Sequence, residues 1–500
     1  MRKKIIILFI VPILLTGSLC AVTNKTFFKP RPIGQDTILQ NAMTNYYIHH
    51  IDSFGHFTIS NNIFYEESTD SSDLARYFFP NNKTELVVKG LGNGVDADGN
   101  VTGADIAAEW LNIASNREPD DPYPNDNNNY TFSSKIKVSP KFKQFGTTFF
   151  LHKKISKYFF LSAYFPFVQV ETNMRLQEYD KENERIPADV NRENLNTIHN
   201  AYEGFNNPLM KYGKIGNYWK HLAGLADIKF EAGANLKIKK NHQLDIFANV
   251  TIPTSHTPKA EYVFEPLIGN AGHWGLGCGL NLDLKLFKKL NFINKLDYLY
   301  LLQETEKRSF DLISNGPFSR YMLATNNKVS DRPIPLINYL TKDVDVTPGS
   351  SISWLASLHY AHRSFDFEIG YNFFYRQEED VSLKHPWEEE IGIAVYLDNN
   401  LEAFLTSYNE VHPNYNQTSI NSSIAVDAAA PFAVIEASNI NVSSSKHPSV
   451  CTNKLYGTIG YRLNWNDNIL GFNIGGSYEI ASSNKLLSLW QIWFGTNLLI

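Results

Sequence analysis

The sequence predicts an all-β fold: a closed antiparallel transmembrane β-barrel of about twelve strands (range roughly ten to fourteen), with long extracellular loops that carry short helices. Three observations carry this. Apolar and polar residues alternate strictly over stretches of roughly ten to twelve residues, the length a tilted membrane strand needs. Connections are alternately long and short. Charge falls on one side of nearly every alternating stretch.

The hairpin Ile352–Tyr375 shows the pattern best. Ile352, Trp354, Ala356, Leu358 and Tyr360 alternate with Ser351, Ser353, Ser357 and His359. After a turn near His362–Ser364, Phe365, Phe367, Ile369, Tyr371, Phe373 and Tyr375 alternate with Asp366, Glu368, Gly370, Asn372 and Arg376. A period of two puts one set on each face of a sheet.

At the start of the chain, Arg2-Lys3-Lys4 precedes the apolar run Ile5–Leu15, with small residues at Ser18 and Ala21. This reads as a secretory signal, residues 1–21, cleaved just after Cys20 or Ala21. Leu19 before Cys20 does not fit a lipidation site. Residues 22–54 are expected to form a periplasmic N-terminal segment or plug, with a helix over Asp36–Tyr46. Residues 55–500 are assigned to the barrel. Two cysteines follow the signal, Cys278 and Cys451, so disulfides do not hold this secreted chain together. No later run of about 18 apolar residues exists, so a membrane passage requires a barrel.

The first strand reads as Gly55–Glu66, with Phe57, Ile59, Ile63 and Tyr65 on one face. A long polar excursion, Ser68–Tyr130, holds an expected helix at Asp105–Ala114. Ile136–Leu151 is extended, and its apolar phase slips at Gln144-Phe145, which predicts a bulge. Tyr158–Val170 is apolar on both faces, and a second long loop, Glu171–Gly224, follows. Ile228–Ile238, Leu244–Ile252, Trp274–Leu286 and Leu290–Gln303 then alternate cleanly, joined at Asn241-His242 and Lys288-Lys289 by tight turns. Loops Glu304–Gly349 and Glu378–Thr452 flank the hairpin described first, the latter with a helix-like Asn400–Tyr408. Leu455–Trp465, Leu470–Ile480 and Leu486–Ile500 finish the chain. Trp274, Tyr298, Trp354, Tyr375, Tyr461, Trp465 and Trp490 sit near strand ends, as interfacial girdles do.

The faces expected to line the lumen hold Lys229, Glu231, Lys237, Asp245, Asp283, Lys285, Lys295, Asp297, Asp366, Glu368, Arg376, Arg462 and Glu479. With Lys239 the acidic and basic members balance, so little preference between anions and cations is expected. These charges either line a wet channel or pair across strands and fill a narrow one.

Gly94–Asp105 resembles a dockerin or EF-hand calcium loop. Asp96, Asp98, Thr102 and Asp105 supply oxygens, Asn100 a backbone carbonyl, and Gly99 the bend. Gly94 stands where such loops begin with Asp, and the plainer reading is a polar turn capping a helix. Calcium is the one cofactor the sequence hints at.

The terminal strand, with Ile492, Phe494, Leu498 and Ile500 at every second or fourth position, resembles the C-terminal signal of bacterial outer-membrane proteins, although that class usually ends in Phe or Trp. The resemblance implies the bacterial outer membrane, contact with its lipid, and handling by its barrel-assembly machinery. Leu225–Gln303, with Gly-Leu-Ala-Asp before one hairpin and a glycine-alternating strand in the next, looks like phenol meta-pathway and FadL-like outer-membrane transporters. That resemblance implies passive passage of small, often apolar, solutes.

The functional expectation is therefore a porin-like channel or transporter. The alternative is a surface adhesion or attachment barrel with a closed lumen, acting through its loops. His359 near Ser357 and Ser353 is a hydrolase-like pair on paper. No Gly-x-Ser-x-Gly or His-Glu-x-x-His motif supports it, and no enzyme is expected. A formal net charge of −5 with scattered Lys and Arg argues against a nucleic-acid partner.

Overall fold

A computed structural model of the chain describes residues 22–48, 57–69, 72–89, 103–108, 132–183, 200–239, 242–326, 334–397, 402–405, 418–420, 434–465, 468–482 and 485–500. Twelve antiparallel staves close on themselves. They are β1 (Phe57–Ser68), β2 (Lys141–Lys154), β3 (Phe159–Asn173) and β4, which runs in two pieces, Lys220–Leu225 and Ile228–Lys239. Then come β5 (His242–Ile252), β6 (Gly275–Phe287), β7 (Leu290–Leu301), β8 (Ser351–His362) and β9 (Phe365–Arg376). The last are β10 (Val450–Trp465), β11 (Asn468–Ala481) and β12 (Leu489–Leu499). Each pairs with its sequence neighbours, and β12 returns to β1 with Ile63 opposite Phe494. Closure leaves no sheet edge in lipid.

The alternation decides which way each side chain points. Ile369, Leu455 and Ile474 are 68%, 63% and 61% exposed on the outer wall. In water each would forgo about 1.5–3 kcal/mol of burial; lipid removes that cost. Trp274, Tyr300, Tyr461 and Tyr478 stand exposed among them. Together with closure, this apolar outer belt makes the chain an outer-membrane barrel. No described helix is long and apolar enough to cross a membrane.

Three expectations are corrected. No bulge occurs at Gln144-Phe145, where the register of β2 is continuous with both neighbours. The apolar phase changes because Phe142 packs into the buried core while Phe145 faces outward, 56% exposed. The expected strand Ile136–Leu151 is instead divided: Phe132–Lys137 belongs to a separate small sheet, and β2 begins after Pro140. The helices expected at Asp105–Ala114 and Asn400–Tyr408 give way, where described, to short strands at Ile106–Ala108 and Glu402–Leu405. In each case pairing with neighbouring loop strands overrides local propensity.

The long loops build small sheets of their own, including Glu304–Ser309 with Thr341–Thr347 and Asp380–Leu383. Phe310, Leu336, Val344, Ile391 and Ile435 form a separate core there. A larger apolar cluster runs from loop residues Tyr77, Phe205 and Phe318 to Leu355 and Trp493 on the inner barrel wall. The long-loop mouth is thus covered by packed apolar side chains.

Candidate functional site

Residues 22–48 thread the lumen. Thr26 donates to the Ser309 carbonyl (2.6 Å) and Lys25 to the Ser443 carbonyl (2.6 Å), both in the long loops. The segment then runs toward the short-turn end. Helix α1 (Thr37–Ile48) places Thr44 beside His152 and Lys154, next to the β2–β3 turn. Residues 49–54, the signal 1–21, and Asp96, Asp98, Asn100 and Thr102 lie outside the described residues. Asp105 accepts the Val87 N–H (3.0 Å) and pairs with Lys83.

The segment is held by inward-facing side chains from several strands. Arg31 pairs with Glu479 (3.0 Å) and bonds Asn372. Lys454 gathers Asp36 (2.8 Å), Glu479 (3.0 Å) and Glu66 (3.3 Å). Asn41 donates to Glu368 (2.8 Å), which also takes the Tyr456 hydroxyl (2.5 Å). Arg376 donates to the carbonyls of Lys29 and Pro30, both at 2.9 Å.

Above these lies a second ionic group, inside the loop cap. Arg308 bonds Glu306 (2.8 and 2.5 Å), Glu379 (3.2 Å) and the Ser445 carbonyl (3.0 Å). Glu306 receives His273 at 2.7 Å, and Glu379 accepts the His447 N–H at 3.1 Å. Lys29 stands 3.8 Å from Glu379. Burial opposes ionisation of Glu379, but Arg308 and Lys29 overcome it and hold the carboxyl well below its usual range. Burial, reinforced by Arg376, pushes the His447 imidazole well below its ordinary value.

Of the remaining charges expected to line the lumen, Lys229 bridges Glu231 (2.9 Å) and Asp297 (2.6 Å). Asp366 lies between Arg462 (2.7 Å) and His359 (3.3 Å). Asp245 accepts from Asn235, Gln243 and Asn281. Asp283 and Lys295 are buried, and Lys285 is exposed near the β6–β7 turn. The Lys237 side chain lies outside the described residues.

Two cavities meet at the Lys229 triad. The upper one, about 450 Å³, is lined by Lys229, Asp297 and the threaded segment from Arg31 to Gln40. The lower one, about 680 Å³, opens at the short-turn end and is lined by Glu231 and Lys295. A third, about 410 Å³, lies on the segment's other flank, by Glu66 and Lys454.

The sequence reading missed Arg31, Asp36, Glu66, Glu306, Arg308 and Glu379. Glu66 was within reach, since Thr58, Ser60 and Asn62 precede it on the inward set of β1. The loop residues gave no periodic signal. Among the described residues no group of three His, Cys, Asp or Glu is placed to hold a metal.

No protein-family model matches the chain, and no curated protein matches it. Solved structures do. An outer-membrane channel from Pseudomonas putida F1 is 7% identical, with 89% of this chain and 95% of that one covered, at a TM-score of 0.37. The Ralstonia pickettii toluene transporter TbuX is 8% identical, covering 95% and 98%, at 0.30. A Pseudomonas aeruginosa FadL homologue is 8% identical, covering 89% of each, at 0.27. The chain is similar to FadL-like outer-membrane barrels. At these identities no functional residue is carried across.

Proposed function

We propose that this barrel is an outer-membrane channel for small solutes, with residues 22–48 as its plug. The carrying observation is the pair of cavities in series along one flank of the threaded segment, separated by the Lys229–Glu231–Asp297 triad. A chain that only needed a rigid membrane anchor would gain from filling this space with apolar side chains, because buried ion pairs are weak sources of stability. Solute would move down its gradient past paired charges, with no cofactor. Passage through the long-loop mouth requires the apolar cover and the plug's upper anchor to shift together.

That cover favours one competing reading, a barrel closed in use that acts at the cell surface through its folded loops. Planar-bilayer recordings separate the two. The channel reading expects small, infrequent steps from the full chain and larger, more frequent ones from Lys454→Met, which loosens the plug. Silence from both proteins, with folding verified by heat-modifiable gel mobility, would sink it in favour of the surface role.

A further inference from the structure

The lower cavity can be read by asking which of its charged groups are already satisfied. Glu231 takes Lys229 at 2.9 Å and the Tyr164 hydroxyl at 3.4 Å. Asp245 takes three amides, from Asn235 (2.7 Å), Gln243 (3.1 Å) and Asn281 (3.2 Å). His152 shares a hydrogen bond with Ser162 (3.0 Å). Lys295 differs. It is 5% exposed, lines the cavity, and is in no hydrogen bond or contact ion pair among the described residues, whereas Lys154, which lines the same cavity, is engaged. The Phe247 ring lies 5.7 Å from its ammonium, a contact too weak to replace lost hydration. Glu231, Asp297 and Asp245 act on this ammonium only from beyond contact distance, each already holding other donors, and an anion entering in contact with it would offset the cost of its burial.

The apolar part of the lining is also built. Phe247 lies against Gly279, where an added Cβ would come within 2.3 Å of the ring. Phe160 lies against Gly233, where it would come within 2.4 Å. Both glycines face inward and let the rings lie back against the wall, so the space in front of them stays open.

We propose that this cavity binds a small organic carboxylate with a flat apolar body. The carboxylate would sit on Lys295 Nζ, with the body against Phe160 and Phe247. An amine ligand is disfavoured because both cavity carboxylates already have donors. The assignment names a solute class for the proposed path and rests on that reading only in treating the cavity as a station along it.

The test is calorimetric titration of the folded, detergent-solubilised full chain with benzoate, benzyl alcohol and benzylamine. Benzoate should bind at least ten-fold more tightly than either of the others. Lys295→Met should weaken benzoate ten-fold or more while leaving benzyl alcohol unchanged, and Lys295→Arg should keep most of the affinity. Benzylamine binding as well as benzoate, benzoate giving no heat, or benzoate indifferent to Lys295→Met would each overturn the assignment. If Lys295→Met does not fold, the comparison of benzoate with benzylamine on the unaltered chain decides. Equilibrium binding does not require passage. Benzoate binding with no bilayer conductance would therefore remove the channel reading alone, and conductance without benzoate binding would remove this one alone.

Discussion

The two ends of this barrel treat buried charge in opposite ways. At the long-loop end, Arg308, Glu306, Glu379 and His273 are fully or almost fully buried and engaged with one another. At the short-turn end, a cavity of about 680 Å³ keeps Lys295 out of contact with any counter-ion, beside carboxylates that hold other donors. The first arrangement sets both signs of charge against one another in a packed cap, which suits it to holding things in place. The second leaves one ammonium free of contact partners, and that ammonium specifies what can enter. Burial alone therefore does not separate a structural charge from a functional one; the state of its partners does.

The largest effect should come from breaking the closed end. Arg308→Met strands Glu306 and Glu379 in a dry cap, and loss of one partner of a buried pair costs about 3–5 kcal/mol. The folded band in heat-modifiability gels should melt at clearly lower temperature. Adding Glu306→Gln and Glu379→Gln should recover most of the loss. If Arg308→Met alone melts like the unaltered chain, the cap is not held by this group. Lys454→Met comes next, at roughly 3 kcal/mol, because Asp36 and Glu66 keep some contact with water. Its readout is plug release, seen as larger conductance steps and faster cleavage within residues 22–36 by added protease.

Acidification should loosen the cap by a smaller amount. His447 is neutral in the fold, held so by burial and Arg376, with Lys29 adding to the push and Glu379 opposing it. Its folded value lies below the unfolded value of about 6.5. Below that pH the opened cap binds a proton that the closed cap refuses, so closure weakens as pH falls, by at most about 1.4 kcal/mol per pH unit. Glu306 and Glu379 have depressed values, so their contribution is present above about pH 4.3 and fades only as pH drops through their folded values. Between pH 7.5 and 5.5 the weakening should come from His447, up to ten-fold in open probability, with Glu265, pushed up to about 7 by burial in the loops, acting in the opposite sense. A flat response over that window, or an unchanged one in His447→Phe, would separate the cap from channel opening.

The wall was legible in the sequence, and the closed end was not, for a physical reason. A strand has a fixed period, so Asp366, Glu368 and Arg376 declare their face without reference to anything distant. Arg308 meets Glu379 across 71 positions and the Ser445 carbonyl across 137, and no local pattern encodes such a meeting. The phase change at Gln144-Phe145 shows the limit from the other side. The alternation was read correctly, but its break reflects a change of surroundings, from packed core to lipid, rather than a bulge in the backbone. The N-terminal helix was predicted within a few residues, yet its course through the lumen depends on partners on β8, β9 and β10, namely Ser353, Glu368 and Lys454.

The smallest change should sharpen the contrast at the open end. Gly279→Ala places a methyl group within 2.3 Å of the Phe247 ring and 2.6 Å of the Leu296 carbonyl, so the ring must swing off the wall toward the cavity and the neighbouring strand must give as well. Overpacking of this kind costs about 1–3 kcal/mol. Stability should fall by about that amount, less than in Arg308→Met, while benzoate affinity falls several-fold, the displaced ring now occupying the apolar part of the site. At the closed end a substitution that moves stability and one that moves function are the same substitution, because the packing is the function there. If Gly279→Ala lowers the melting temperature as much as Arg308→Met does while benzoate binding is unchanged, the cavity is ordinary packing space. The distinction between the two ends would then fail.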